Sequence, residues 1–295
     1  MIERRCYIKE GGLIMKNQFS RHIKAIDHLI VLLKINRNYL KSNNLLSEIN
    51  KEILEKLISN LKTIKLLFKN SNKNGSLELI RTSYELILIL LFFFKEQDKV
   101  MAENKYLCYL YIKQKEKSRK IKENKEKVIQ EKEFYEKTFN EVVPVLDEAK
   151  VQEALNILEN DCNNIKNINL EVKKEIELKE GEKYIKYYSF FFKPDKKVLT
   201  CPKNLKELAD YLSVTDYHST LYPVYSAIIH GTILEFYDDD IFNEIFRNGL
   251  NTISILSAFM TKKISITLGK DTNKKIEEFL GKRQKNLEKL IMQEK

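Results

Sequence analysis

The stretch LILILLFFF, Leu86 to Phe94, is an unbroken apolar run, and it constrains the fold more than any other segment. It is about half the length needed to cross a bilayer, which takes ~20 apolar residues. It belongs to a longer segment, Leu77 to Lys95, that is apolar on nearly all sides when wound as a helix. A helix without a broad polar face has to be covered all round. The run therefore predicts a central buried helix with other elements wrapped about it.

The neighbouring segments supply the wrapping. Ile23, Ile26, Leu29, Ile30 and Leu33 recur at helical spacing between Phe19 and about Tyr39, and Ile53, Leu54, Leu57, Ile58, Leu61, Ile64 and Leu67 do so in the next segment. Their short connection predicts two antiparallel helices. NSNKNGS, Asn70 to Ser76, reads as a turn, with Ser76 as the cap of the central helix. From Asp98 to about Asn140 there is no proline or glycine. Lys113 to Glu133 carries nine basic and five acidic residues with their signs interleaved, which predicts a long solvated helical arm. VVPVLDEAKVQEALNILE and INLEVKKEIELKE suggest two more helices before Gly181. Tyr184 to Phe192 reads equally as a short strand or a helix end, and Pro194 and Pro202 bracket a loop.

NLKELADYL reads as a short helix capped by Asn204. A helix from about Asp216 to Tyr237 follows, with Pro223 in its first turns or kinking it. Asp240 can cap a helix over Ile241 to Lys262, and a last amphipathic helix starts near Asp271. Only eight glycines and four prolines in 295 residues agree with this reading. The expected fold is all-α, a multi-helix bundle with a long charged helical arm over about 98–140. No linker rich in Gly, Ser or Pro interrupts it, so a single domain over 15–295 is expected.

Composition narrows the function. The net charge of +10 arises from 52 basic and 42 acidic residues, which permits an RNA or other anionic partner without requiring one. Lys, Asn and Ile are all frequent, as in AT-rich coding sequence, so the lysine count alone carries little. Cys6, Cys108, Cys162 and Cys201 are far apart, with no CxxC pair and no His at ligand spacing, and read as reduced thiols. With no signal peptide and no apolar run long enough to span, the expected location is cytoplasmic, off the membrane. KEGGLIM, Lys9 to Met15, resembles a translated ribosome-binding site, which predicts a start at Met15 and a poorly ordered leader over residues 1–14. No glycine-rich phosphate loop is present, no cofactor is expected, and the chain is not read as an NTPase.

YPVYSAIIHG, Tyr222 to Gly231, carries the chemistry. Tyr222, Ser226 and His230 are spaced at four and four, one stripe of a helix whose other residues are Val224, Ala227, Ile228 and Ile229. Buried polar groups without partners cost ~1–3 kcal/mol each, so the stripe needs a polar counterpart. The central apolar helix offers one in RTSYE, where Arg81 and Glu85 are four apart and face the same way. Packing the two stripes together lets Glu85 accept from Arg81 or His230, and lets Arg81 donate to Ser226 or Tyr222.

RTSYE and YPVYSAIIHG, the second preceded by NLKELADYL, resemble a bacterial domain-of-unknown-function family, number 5677, over roughly Leu77 to Tyr237. Its members share an R-x-x-x-E helix and a later Y-x-x-x-S-x-x-x-H helix, and Arg81, Glu85, Tyr222, Ser226 and His230 fall on those positions. The family's helical layout looks similar to HEPN-type domains, bundles common in bacterial toxins and anti-phage systems, many of which are ribonucleases. The usual HEPN signature, an Arg and then, after a short spacer, a His on one helix, does not occur around His230. Arg21 and His28, with six residues between them in RHIKAIDH, are the nearest match.

What the resemblance implies is a toxin or defence effector that cleaves RNA without a metal. His230 would transfer the proton, Arg81 stabilise the phosphate charge, Glu85 orient a partner, Ser226 hold the imidazole or phosphate, and Tyr222 bind substrate. The expected partners are RNA and a cognate antitoxin or defence-system protein. The other reading is a non-catalytic module that binds a nucleotide signal or a protein, with the cluster tying two helices in register. Three further features are simpler than they look. The acidic run Glu235, Asp238, Asp239, Asp240 and Glu244 reads as helix-end capping before it reads as a cation site. The aromatics of YYSFFF read as core or a homodimer contact before base stacking. His218 either joins the stripe or faces solvent.

Overall fold

The computed structural model describes residues 3–41, 46–70, 72–139, 148–164, 190–192, 198–200, 204–229 and 239–270, with side-chain surroundings from Arg21 onward in most of them. The elements are α1 (Glu3–Lys41), α2 (Leu46–Ile49), a π-helical turn (Asn50–Leu54), α3 (Glu55–Lys69), α4 (Lys73–Phe93), α5 (Lys99–Phe139), α6 (Glu148–Asn164), β1 (Phe190–Phe192), β2 (Val198–Thr200), α7 (Leu205–Tyr211), α8 (Thr215–Ile229) and α9 (Asp239–Thr267). The fold is all-α, with one two-stranded antiparallel hairpin that pairs Phe191 with Leu199. That hairpin decides the strand-or-helix alternative for the aromatic segment in favour of strand over its last three residues. The chain sorts into two compact units, 1–102 with 205–295, and 103–204. One domain is the expectation from the absence of a linker; the division falls inside the uninterrupted helix α5.

The first unit is built on α4, which packs against α3, α9, α8 and α7. From Ile87 to Phe94 no residue of α4 or its cap exceeds 6% exposure, as an all-round apolar helix demands. Its start differs from the sequence expectation. Asn72, not Ser76, is the N-cap: its side chain accepts from the Gly75 amide at 3.0 Å, and Ser76 turns its hydroxyl back to the Asn72 carbonyl at 2.8 Å. Asn72 satisfies the first-turn donors, so the helix absorbs residues whose composition reads as a turn.

α1 packs on α9 and α3. Its helical backbone includes the expected leader, whose side chains lie outside the described residues. Buried Asn36 on α1 donates to Thr261 of α9 at 2.8 Å, and Thr261 in turn donates to the Ser257 carbonyl at 2.7 Å. α9 begins at Asp239, which places Asp240 in its first turn and not at its cap. Pro223 sits in the body of α8, where its missing N–H removes one helical bond.

In the second unit, α5 is capped by Asp98, whose carboxylate accepts from the Met101 amide at 2.8 Å just before the unit begins. The arm's charges pair along its own surface: Arg119 with Glu123, Lys120 with Glu116 at 3.3 Å, and Lys137 with Glu133 at 3.8 Å. Such exposed pairs at four-residue spacing contribute a few tenths of a kcal/mol each. Gln114 of α5 reaches Asp161 of α6 at 3.3 Å. Cys108 and Cys162 are buried thiols outside any disulfide, and burial pushes the Cys108 thiol up to about 12, which makes it inert. The expected helix over INLEVKKEIELKE and the last amphipathic helix lie outside the described residues, as do Cys201 and the side chain of Cys6.

Candidate functional site

Two helices far apart in sequence, α4 and α8, meet through polar side chains. Arg81 and Glu85 lie one turn apart on α4, and Arg81 Nε donates to Glu85 Oε1 at 3.1 Å. Arg81 Nη2 donates to Tyr222 Oη on α8 at 3.0 Å, and the guanidinium carbon lies 4.9 Å from the Tyr222 ring centroid. The guanidinium is thus held from two directions, by a carboxylate on its own helix and a phenol from across the interface. It is not sealed in, because the Arg81 and Glu85 side chains keep 18% and 33% of their exposure. A guanidinium has five N–H donors in a rigid fork, and these two bonds engage two of them.

Behind Tyr222 sits a second pair. His218, one turn before Tyr222 on α8, is 7% exposed and stacks on the Tyr222 ring with centroids 4.7 Å apart and planes 20° from parallel. Its Nδ1 lies 3.1 Å from the hydroxyl of Tyr84, which is fully buried on α4. Burial holds the His218 imidazole below its ordinary proton affinity; Asp210 opposes the shift and Lys206 adds to it. A buried phenol needs an acceptor, and the Nε2–H tautomer of the neutral ring offers one at Nδ1, which assigns Tyr84 as the donor. Burial, with Tyr222 and Glu85 nearby, raises the Tyr84 phenol, which keeps that donor protonated. The cluster reads Glu85, Arg81, Tyr222, His218, Tyr84, running from α4 across to α8 and back to α4.

A third tyrosine fixes how close the helices lie. Tyr225 donates to the Ile245 carbonyl of α9 at 2.8 Å, over Gly249, where an added Cβ would stand 2.0 Å from the hydroxyl. Only a glycine lets the ring in.

The sequence-expected residues divide as follows. Arg81, Glu85 and Tyr222 come together. Ser226 follows one turn after Tyr222 and is half-buried. His230 lies outside the described residues, as do Glu235 and Asp238 of the acidic run. Arg21 and His28 are both exposed on α1. His218 faces inward. Tyr84, inside RTSYE, escapes the sequence reading, although it shares the apolar stripe of Leu77 and Ile80 and a buried phenol calls for a partner. Among the described residues, no three His, Cys, Asp or Glu side chains converge in a way that would hold a metal ion. No described helix is long and apolar enough to cross a membrane.

No curated protein and no solved structure matches the chain. Residues 51–245 match a family whose description is simply a family of unknown function, DUF5677. That span is about two thirds of the chain and holds both RTSYE and YPVYSAIIHG. The chain belongs to the DUF5677 family.

Proposed function

We propose that the protein is an RNA-directed effector of the toxin or anti-phage type, which cleaves phosphodiester bonds at the Arg81 cluster without a metal. One observation carries the reading: a part-exposed guanidinium, fixed in orientation by Glu85 and Tyr222, with donors left over for an oxyanion. Preorganised donors of this kind stabilise the charge that grows on phosphate, and they need no reorganisation during the reaction. In this reading the 2′-hydroxyl gives up a proton as it attacks phosphorus, and the leaving 5′-oxygen receives one. His230 transfers the proton, Ser226 holds the imidazole or the phosphate, and Tyr222 contacts substrate. The likeness of the family's layout to HEPN-type domains supports the substrate class, and the net charge of +10 suits it. An antitoxin or defence-system protein is the partner such an effector requires.

A second reading has its own support. Arg81 already has partners in Glu85 and Tyr222, as in a module that binds a nucleotide signal or a protein without turnover.

The deciding experiment is inducible expression of wild type, Arg81→Ala and His230→Ala, scoring growth and RNA integrity, with thermal melting as the folding control. Loss of both effects in variants that melt within a few degrees of wild type supports the effector. Intact RNA with wild type under every condition refutes it.

A further inference from the structure

The buried pair behind Tyr222 has no part in the proposed chemistry, yet it is built with the care of a site. His218 is enclosed on one side by Tyr222 and on another by Tyr84, with Asp210 and Lys206 of α7 as the charged groups that act on it and Arg81 and Glu85 beyond Tyr222. The two ring distances, 4.7 Å from imidazole to Tyr222 and 4.9 Å from Tyr222 to the guanidinium carbon, keep His218 and Arg81 within roughly one screening length, ~8–10 Å in physiological salt. Through protein, not water, their charges feel one another.

We propose that His218 is the proton-linked second arm of the Arg81 site: it is neutral while the site is empty and takes a proton from solvent when an oxyanion binds Arg81. The physical reason is a balance of opposites. In the empty site burial opposes a charge on His218, Lys206 adds to that and Asp210 works against it, while the Tyr84 hydroxyl donates to Nδ1 of the neutral ring. Arg81 is already paired with Glu85, so an oxyanion on its remaining donors turns a locally neutral pair into a net negative site, which favours the imidazolium across Tyr222. Tyr84 accommodates either state, because a phenol that donates to Nδ1 of the neutral ring accepts from Nδ1–H of the imidazolium after rotating its O–H. The proton taken up by His218 offsets the charge of the bound oxyanion, and transfer of a proton to the leaving oxygen stays with His230 in the proposed chemistry. His218 thus becomes a positioning and charging residue, acting on Arg81 across Tyr222.

This inference rests on reading Arg81 as an oxyanion site, and its test does not require catalysis. The full chain, carrying isotope-labelled histidine, is titrated with acid by NMR in the presence and absence of sodium sulfate, which keeps one charge throughout the titration. His218→Gln assigns the resonance. Sulfate is expected to raise the His218 midpoint by about one unit, tenfold in proton affinity, and Arg81→Gln to abolish the rise. By reciprocity, sulfate affinity rises about tenfold across the titration in wild type and stays flat in His218→Gln. Tyr84→Phe keeps the ring, removes the bond to Nδ1 and identifies the His218 resonance by displacing its midpoint, while the sulfate-linked rise is expected to persist. It serves if His218→Gln misfolds.

Sulfate that binds through Arg81 and leaves His218 unmoved overturns the proposal, as does absence of sulfate binding. RNA cleavage with an unmoved His218 refutes this inference alone. A sulfate-linked His218 in a protein that never cleaves RNA refutes the ribonuclease reading alone.

Discussion

Gly249→Ala isolates how tightly the three helices around the site are locked. The new Cβ would lie 2.0 Å from Tyr225 Oη, 2.9 Å from its Cζ and 2.8 Å from Ile80 Cγ2. Neither neighbour has slack: Tyr225 is 2% exposed and Ile80 fully buried. To clear ordinary contact the phenol has to retreat by more than an ångström into a close-packed interior, and overpacking of that sort costs ~1–3 kcal/mol. Moving the ring also breaks its hydrogen bond to the Ile245 carbonyl, and a buried group left unpaired costs ~1–3 kcal/mol. Against this, alanine is better than glycine inside a helix by ~1 kcal/mol. The balance is a loss of about 2–4 kcal/mol, a large part of the ~5–15 kcal/mol typical of a folded protein. Urea denaturation measures it as a lower midpoint at unchanged slope. Adding Tyr225→Phe removes the closest clash but leaves Cζ and Ile80 in place, so the double variant recovers part of the loss and not all of it. A Gly249→Ala protein as stable as wild type refutes this account of the packing.

Three other outcomes follow from the same coordinates. Arg81→Ala strips Glu85 and Tyr222 of their shared donor, and because the cluster is part-exposed the expected loss is about 1–2 kcal/mol by denaturation, with Arg81→Lys recovering little since an ammonium lacks the fork. Thr261→Val leaves the buried Asn36 amide without its acceptor and is expected to cost about 1–3 kcal/mol, whereas Asn36→Leu with Thr261→Val is close to neutral; equal losses in the single and double variants would count against a net role for that bond. His218 binds protons more weakly folded than unfolded, so the unfolded chain takes up more protons below its ordinary value of 6.5. Stability contributed by neutral His218 is therefore fully present above that pH and is lost as pH falls through the folded value. Denaturation at a series of pH values should show a shallower acid limb in His218→Gln than in wild type; parallel limbs would mean that burial does not disfavour the imidazolium.

How far the sequence discloses this structure depends on whether a residue's need is local. The central position of α4 follows from its lack of a polar face, and α5 from the absence of any breaker between Asp98 and Asn140. Arg81 and Tyr222, 141 residues apart, are legible as partners because each is a polar group on an apolar surface and the chain offers few alternatives. The same argument stops at His218, whose periodicity fits the stripe but whose burial depends on Tyr84 of another helix. It also stops at Gly249, which looks like a tolerated helical glycine until Tyr225 is placed over it. Asn72 takes the cap from Ser76 because either side chain can bond the first-turn donors, and only the backbone path decides between them. The division within α5 leaves no trace in composition, since it separates contacts and not residue types.

The burial of α4 also sets an order of events during synthesis. Two of the helices that cover it, α8 and α9, are encoded far downstream, and α9 is complete only at Thr267. At ~5–20 residues per second, roughly 10–35 s pass between the emergence of Phe93 and that of Thr267. Through that interval the nascent chain carries LILILLFFF without its full covering, since three of the four helices packed on α4 lie downstream of it. A ribosome-bound holdase should engage it there, and chains stalled before α9 should aggregate while chains released after it should not.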